Sequence, residues 1–191
     1  SSATATCDGD SVYAVFGNGV AAAYDYGGNR KWARIVEKPT HGWGHCASPL
    51  LAGDKLVLHI RGLHGLNKET GAADWRVSVK QRWGSPVCFD NGDAYVITAA
   101  GDIVRAADGK VIARNLSPLD YCAATVEGNI AYFVQHNGKA VSLAELDGAE
   151  GKPKTLWTTK PAKDRYYATA VWHDGLLYAV HQKQQFSVID A

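Results

Sequence analysis

The sequence predicts an all-β propeller of four-stranded antiparallel blades, and three observations lead to it. A glycine turn followed by a β-rich run recurs at spacings of 44, 39, 36 and 47 residues. A tryptophan, or a residue in its place, follows each of the first four turns by twenty to thirty residues. No window holds a clean helical stripe. A period of this size belongs to repeat architectures, in which a unit hides its apolar faces only against its neighbours.

The turns are Asp8-Gly9-Asp10, Ala52-Gly53-Asp54, Asn91-Gly92-Asp93, Glu127-Gly128-Asn129 and Asp174-Gly175. The runs after them are Ser11–Phe16, Lys55–Ile60, Ala94–Thr98, Ile130–Val134 and Leu176–Val180. Trp32, Trp75 and Trp157 mark units one, two and four as wedges between blades, and Ala113 stands in that place in unit three. Unit two shows the strands best, at Cys46–Leu51, Lys55–Ile60, Leu63–Asn67 and Ala73–Val79, each bounded by Gly, Asn or Asp. About five blades are expected, over approximately 1–40, 41–83, 84–118, 119–163 and 164–191. The fifth is incomplete, stopping after its third strand at Phe186–Ile189.

Composition removes several classes. A hydrophobic content of 46%, with six Trp, nine Tyr and four Phe, is far from a disordered chain. The balance of 20 Lys and Arg against 19 Asp and Glu gives no electrostatic reason to expect nucleic acid as a partner. No apolar run approaches the roughly 18 to 20 residues of a transmembrane helix. The 191 residues contain no methionine, so a processed form or a piece of a longer chain is expected, and any signal peptide would already have been removed. Cys7, Cys46, Cys88 and Cys122 are widely spread; three fully paired arrangements exist, but the low density favours thiols, most of them buried.

The segment from Ser48-Pro49 through Gly53-Asp54 to Leu58, then Gly65-Leu66-Asn67-Lys68-Glu69-Thr70-Gly71-Ala72-Ala73-Asp74-Trp75, resembles the pyrroloquinoline-quinone-like (PQQ-like) propeller repeat. Unit one matches through Ala23-Tyr24-Asp25 and Lys31-Trp32, and unit three through Ser85-Pro86-Val87 and Ala107-Asp108-Gly109-Lys110. Unit four keeps Gly128 and Trp157 around a longer insertion at Asp147–Pro153. Members of this family are usually rings of seven or eight blades. The resemblance therefore implies an internal portion of a longer ring, with the remaining blades elsewhere in the chain or in a partner chain. It is strong evidence for fold and weak evidence for function.

The resemblance also invites a quinone-dependent dehydrogenase. Such enzymes hold PQQ beside a disulfide of adjacent cysteines in many members, with a calcium ion on Glu, Asn and Asp. This chain has no adjacent cysteine pair, and its acidic residues lie mostly in turns that favour them for geometry alone. No cofactor is therefore expected within these residues. In His41-Gly42-Trp43-Gly44-His45-Cys46, two histidines and a thiol could ligate zinc or copper. However, Gly42 and Gly44 argue against the helix that an i, i+4 pair needs. A tight loop whose histidines bond backbone carbonyls, and no metal, is expected. Trp43 and Trp83, each shortly before a Ser-Pro strand opening, are candidate binding residues with His41, His45 and Arg82; packing against a neighbouring blade is the plainer reading. His59, His64, His136, His173 and His181 suggest nothing shared. The basic run from Lys152 to Arg165 reads as a solvated face ahead of a partner patch. No nucleophile elbow or phosphate loop exists, so no catalytic residue is named.

The expected function is a non-catalytic interaction module of the cell envelope, similar to BamB-like lipoproteins and binding a protein or peptide partner. By the same analogy it would be periplasmic or secreted. The alternatives are a PQQ-dependent oxidoreductase with its site outside this segment, and a carbohydrate-binding propeller using Trp43 and Trp83.

Overall fold

Glycine turns fold the chain into successive hairpins, and in the computed structural model, which describes residues 3–42, 44–146 and 152–191, these assemble into five antiparallel sheets. The first holds β1 (Thr6–Cys7), β2 (Val12–Val15), β3 (Val20–Tyr24) and β4 (Arg30–Ile35). The second holds β5 (Leu50–Ala52), β6 (Lys55–His59), β7 (Leu63–Asn67) and β8 (Ala73–Val77). Next come β9 (Val87–Asn91), β10 (Asp93–Ile97), β11 (Ile103–Arg105) and β12 (Val111–Ala113). The fourth sheet holds β13 (Thr125–Glu127), β14 (Ile130–Phe133), β15 (Gly138–Ser142) and β16 (Lys154–Thr159). The fifth holds β17 (Val171–His173), β18 (Leu176–Val180) and β19 (Phe186–Asp190). Strands pair in chain order within every sheet, and β1, β5, β9, β13 and β17 lie side by side from sheet to sheet. The fold is a β-propeller, with each first strand innermost.

The first strand of unit two begins at Leu50 rather than at the expected Cys46. Pro49 has no amide to give the ladder. The amide of Ser48 is directed instead at the next blade, where it donates to Ser85 Oγ at 2.9 Å.

The seams between blades follow one pattern. Trp32 Nε1 donates to the Lys68 carbonyl of blade two at 2.9 Å, and Trp75 Nε1 to the Ala106 carbonyl of blade three at 2.8 Å. Each indole lies on the turn between the third and fourth strands of the following blade. Gly71 and Gly109 in those turns have φ of +68° and +74°, and a Cβ there would stand 2.6 Å from Trp32 and 2.9 Å from Trp75. The Thr-Gly pair of the repeat is thus explained: Asn67 and Thr70 tie the turn with side-chain hydrogen bonds, and glycine clears the surface for the ring.

Register explains the residue across from each tryptophan. Ala23, Gly65 and Ala140 face Trp32, Trp75 and Trp157, next to a bulge in every case. The same bulge in blade three sets Ile103 against Ala113. Leu146 takes the position in blade four that Gly71 and Gly109 hold elsewhere, and both Ile103 and Leu146 are buried in the core against which Ala113 packs. Two large aliphatic residues fill the space of the absent indole.

Gly71→Ala should cost about 2–4 kcal/mol in urea denaturation, from the left-handed backbone and the collision with Trp32. In a Trp32→Ala background the same change should cost only about 1–2 kcal/mol, the backbone part alone. Equal penalties in both backgrounds would show that Gly71 and Trp32 do not meet.

Candidate functional site

One face of the disc gathers the segments that lead from each outer strand to the next inner strand. Hydroxyls clasp these connectors together. The amide of Thr4 donates to Ser48 Oγ at 3.0 Å, that of Ser48 to Ser85 Oγ, and that of Ala123 to Thr169 Oγ1 at 3.0 Å. Thr4, Ser48, Ser85, Ala123 and Thr169 are therefore equivalent positions. Two residues before this clasp stand Cys46, Trp83, Tyr121 and Tyr167. All four line a single cavity of about 550 Å³ at the channel mouth, together with Arg165.

The local backbone aims these side chains. Tyr166 is buried, its hydroxyl donating to the Ala162 carbonyl at 2.9 Å, so its neighbours Arg165 and Tyr167 emerge on the other side. Tyr167 meets Tyr121 with ring centroids 4.9 Å apart. The Trp83 amide donates to the Asp120 carbonyl at 3.0 Å, and His41 sets its ring edge-on to Trp83 at 5.0 Å. Gly84 closes the seam, since a Cβ there would stand 1.9 Å from the Cys122 carbonyl oxygen. Burial pushes the Cys122 thiol, which donates to the Val134 carbonyl inside the core, up to about 11 and raises Cys46 as well, so both thiols are neutral. All four cysteines are free, with Cys7 exposed, Cys46 and Cys88 half-buried and Cys122 buried.

The other candidates are dispersed. Trp43 lies outside the described residues. Arg82 turns away from the mouth and pairs with Asp120 at 2.7 Å, in a smaller cavity of about 210 Å³. Trp32, Trp75 and Trp157 sit in the blade seams. His45 is buried and has no hydrogen bond on either ring nitrogen, which corrects the expectation that it bonds backbone carbonyls. The His59 backbone lies near its ring but outside hydrogen-bond geometry.

The histidines judged unrelated also need correction. His45, His59 and His64 form one buried group, with Glu37 at its edge. Glu37 ties the exit of blade one to blade two. It accepts from the Arg61 and Gly62 amides at 3.0 Å each and from Arg76 at 2.7 Å, and its Oε2 lies 3.0 Å from His64 Nε2. Burial acts to raise its pKa, but the bonds from His64, Gly62, Arg76 and Arg61 outweigh it and hold the carboxyl at about 2. Burial drives His59 down to about 4, with His45 and His64 adding to the effect. Among the described residues no group of three or more His, Cys, Asp or Glu is arranged to hold a metal ion.

The family model described as "Outer membrane protein assembly factor BamB" matches residues 61–191. The chain belongs to that family. No curated protein matches it in sequence. Among solved structures, BamB from Moraxella catarrhalis is 14% identical with a TM-score of 0.72, and the match covers 95% of this chain and 55% of that one. A quinohemoprotein alcohol dehydrogenase from Comamonas testosteroni is 14% identical with a TM-score of 0.70, covering 99% and 41%. The computationally designed Ika8 protein is 9% identical with a TM-score of 0.68, covering 98% and 57%. The chain spans about half the length of these structures, and the likeness establishes the propeller fold.

Sequence reasoning missed Tyr121, Tyr167 and Glu37, and it read Arg165 only as the end of a solvated basic run. The tyrosines become equivalent to Trp83 only through the clasp, two residues before each clasp position.

Stability should fall in two stages on acidification. The unfolded chain takes protons on His59 below about pH 6.5, which the native chain refuses until about 4, so stability is lost as pH falls through that window, by at most about 1.4 kcal/mol per pH unit. Glu37 then removes its contribution as pH falls from 4.5 towards 2. Denaturation midpoints of His59→Leu should be flatter in the upper window and unchanged in slope below it. Parallel profiles for the two proteins would remove His59 as the cause.

Proposed function

We propose that this chain is a non-catalytic docking module of the cell envelope whose channel mouth receives a segment of a protein partner. The observation that carries this reading is the convergence of Trp83, Tyr121 and Tyr167, from three successive blade junctions, on one open cavity. Aromatic side chains offer large, stiff apolar area with polar tips, which suits a peptide side chain. Among the described residues the cavity is lined by a neutral thiol and hydroxyls and by no carboxylate, so these residues lack the acidic oxygen donors that calcium beside a quinone requires. The residues present do not fit that cofactor pair. The family description, an assembly factor of outer membrane proteins, supports an envelope location by analogy.

The fifth sheet supports the rest of the ring. In the first two seams the face carrying the tryptophan meets an aliphatic face of the next blade. The corresponding face of the fifth sheet presents Val171, Phe186 and Val188 at 62%, 64% and 53% exposure. A further blade of the same repeat, with its aliphatic face inward, is the surface that this one fits.

The test is site-specific photo-crosslinking from position 121 in the intact protein in cells, with position 174 on the opposite face as control. The expected result is an adduct to an envelope protein from position 121 alone. Dye-linked alcohol oxidation after addition of PQQ and calcium, or sugar-array binding lost in Trp83→Ala, would overturn the reading in favour of an enzyme or a lectin.

A further inference from the structure

Two smaller cavities lie along the seam between blades three and four, and the connectors at Arg82-Trp83 and Asp120-Tyr121 border both the first of them and the mouth. The first, about 210 Å³, is lined by Arg82, Asp120, Gln135 and His136. The second, about 510 Å³, ends at Lys139, Thr158 and Lys160, and the two share Ser117, Pro118 and Asn137. The connector from β12 to β13 forms one wall, and the turn from β14 to β15 with the end of β16 forms the other. The path crosses the width of one blade, three strand spacings or about 14 Å, which an extended peptide covers in four to five residues.

Charge along this path is mainly positive, since Asp120, the one described carboxylate that lines it, is paired with Arg82. Lys139, Lys160 and Arg165 have no carboxylate within ion-pair distance among the described residues, and Lys139 Nζ donates only to the Leu116 carbonyl at 2.6 Å. Strand order places four described carboxylates on this face of the disc, namely Glu37, Asp102, Asp120 and Asp164. Each is already engaged: Glu37 with His64 and Arg76, Asp102 with the Asn115 amide, Asp120 with Arg82, and Asp164 with His181. The remaining described carboxylates belong to turns and strand ends on the opposite face.

We propose that this groove binds an extended acidic peptide, with one aromatic or large aliphatic side chain seated between Trp83, Tyr121 and Tyr167 and its carboxylates running outward over Arg165, Lys139 and Lys160. The inference rests on the docking role above and names the chemistry of the segment docked. Apolar anchoring supplies affinity at the mouth, and the unpaired cations supply selectivity along the seam.

The test measures fluorescence anisotropy of labelled octapeptides on the intact protein. One peptide carries a phenylalanine followed by three glutamates; others reverse that order, replace glutamate by lysine, or replace phenylalanine by alanine. One acidic peptide should bind at least about tenfold tighter than its lysine counterpart at low salt, with the preference shrinking as salt rises. Lys139→Glu with Lys160→Glu should abolish that preference, and Tyr121→Ala with Tyr167→Ala should weaken both peptides about tenfold. Equal binding of acidic and basic peptides, or indifference to the charge reversals, would overturn the acidic class while leaving the docking role intact if adducts still form at position 121. Displacement by a neutral oligosaccharide would overturn it in favour of sugar. Absence of both peptide binding and adducts would remove the docking role itself.

Discussion

An indole seated on the turn of the next blade sets the terms for most other choices in this chain. A four-stranded sheet has two apolar faces and no means of covering either alone. Trp32 and Trp75 solve this by reaching across the seam, where each finds a backbone carbonyl for its N–H and a glycine surface for its ring. Truncating such a residue typically costs about 3–5 kcal/mol, a large share of the net stability of a domain. The small residue across the ladder, the bulge beside it and the glycine in the next turn all follow from the volume of that ring. Blade three shows the same constraint in reverse, because Ala113 is matched by Ile103 and Leu146. What is held constant is filled space, not residue type.

Repetition of the seam has a consequence for function. Since every blade meets its neighbour in the same way, every connector arrives at the inner strand in the same place, and the hydroxyl clasp holds it there. A side chain two positions before the clasp is then delivered to the channel mouth by the fold itself. Blade junctions that carry Trp83, Tyr121 and Tyr167 build an aromatic wall, whereas Cys46 contributes only a small neutral thiol. The seam between blades one and two departs from the rule by adding a polar fastening, with Glu37 gathering four donors from one hairpin region and three histidines buried beside it. That fastening holds at neutral pH and weakens in acid, so the part of the disc next to the mouth is acid-sensitive.

Turns and strands were legible because their chemistry is local. Gly9, Gly53 and Gly128 mark hairpins whose strands fall within a residue or two of the apolar runs beside them. The tryptophans were legible because they recur. Connector residues were not, since Tyr121 and Tyr167 share no flanking motif with Trp83 and only the clasp makes them equivalent. The strand β5 starts later than its apolar run suggests, because Pro49 cannot donate to a ladder and Ser48 bonds across the seam. The histidine group was invisible for a further reason. His45 and His59 are brought together by the join between a connector and a hairpin, a relation that no spacing along the chain expresses.

A formal charge of +1 describes the whole chain and conceals its arrangement. The tight turns, first to second strand and third to fourth, demand Asp or Asn for their side-chain bonds to the backbone, as Asp8, Asp25 and Asp108 make. Antiparallel order places all of these turns at one face of the disc. Connectors at the other face have no such demand, and the carboxylates they do carry are taken up in fastening blades or loops. The cations of that face are left with an unbalanced field. At physiological salt, screening sets in over about 8 Å, so neighbouring cations along the groove act together while the acidic turns on the far face scarcely reach them. A fold that needs acidic turns on one side thus leaves a basic mouth on the other. Under the proposed docking role, a partner requires only aromatic residues where the connectors already deliver them.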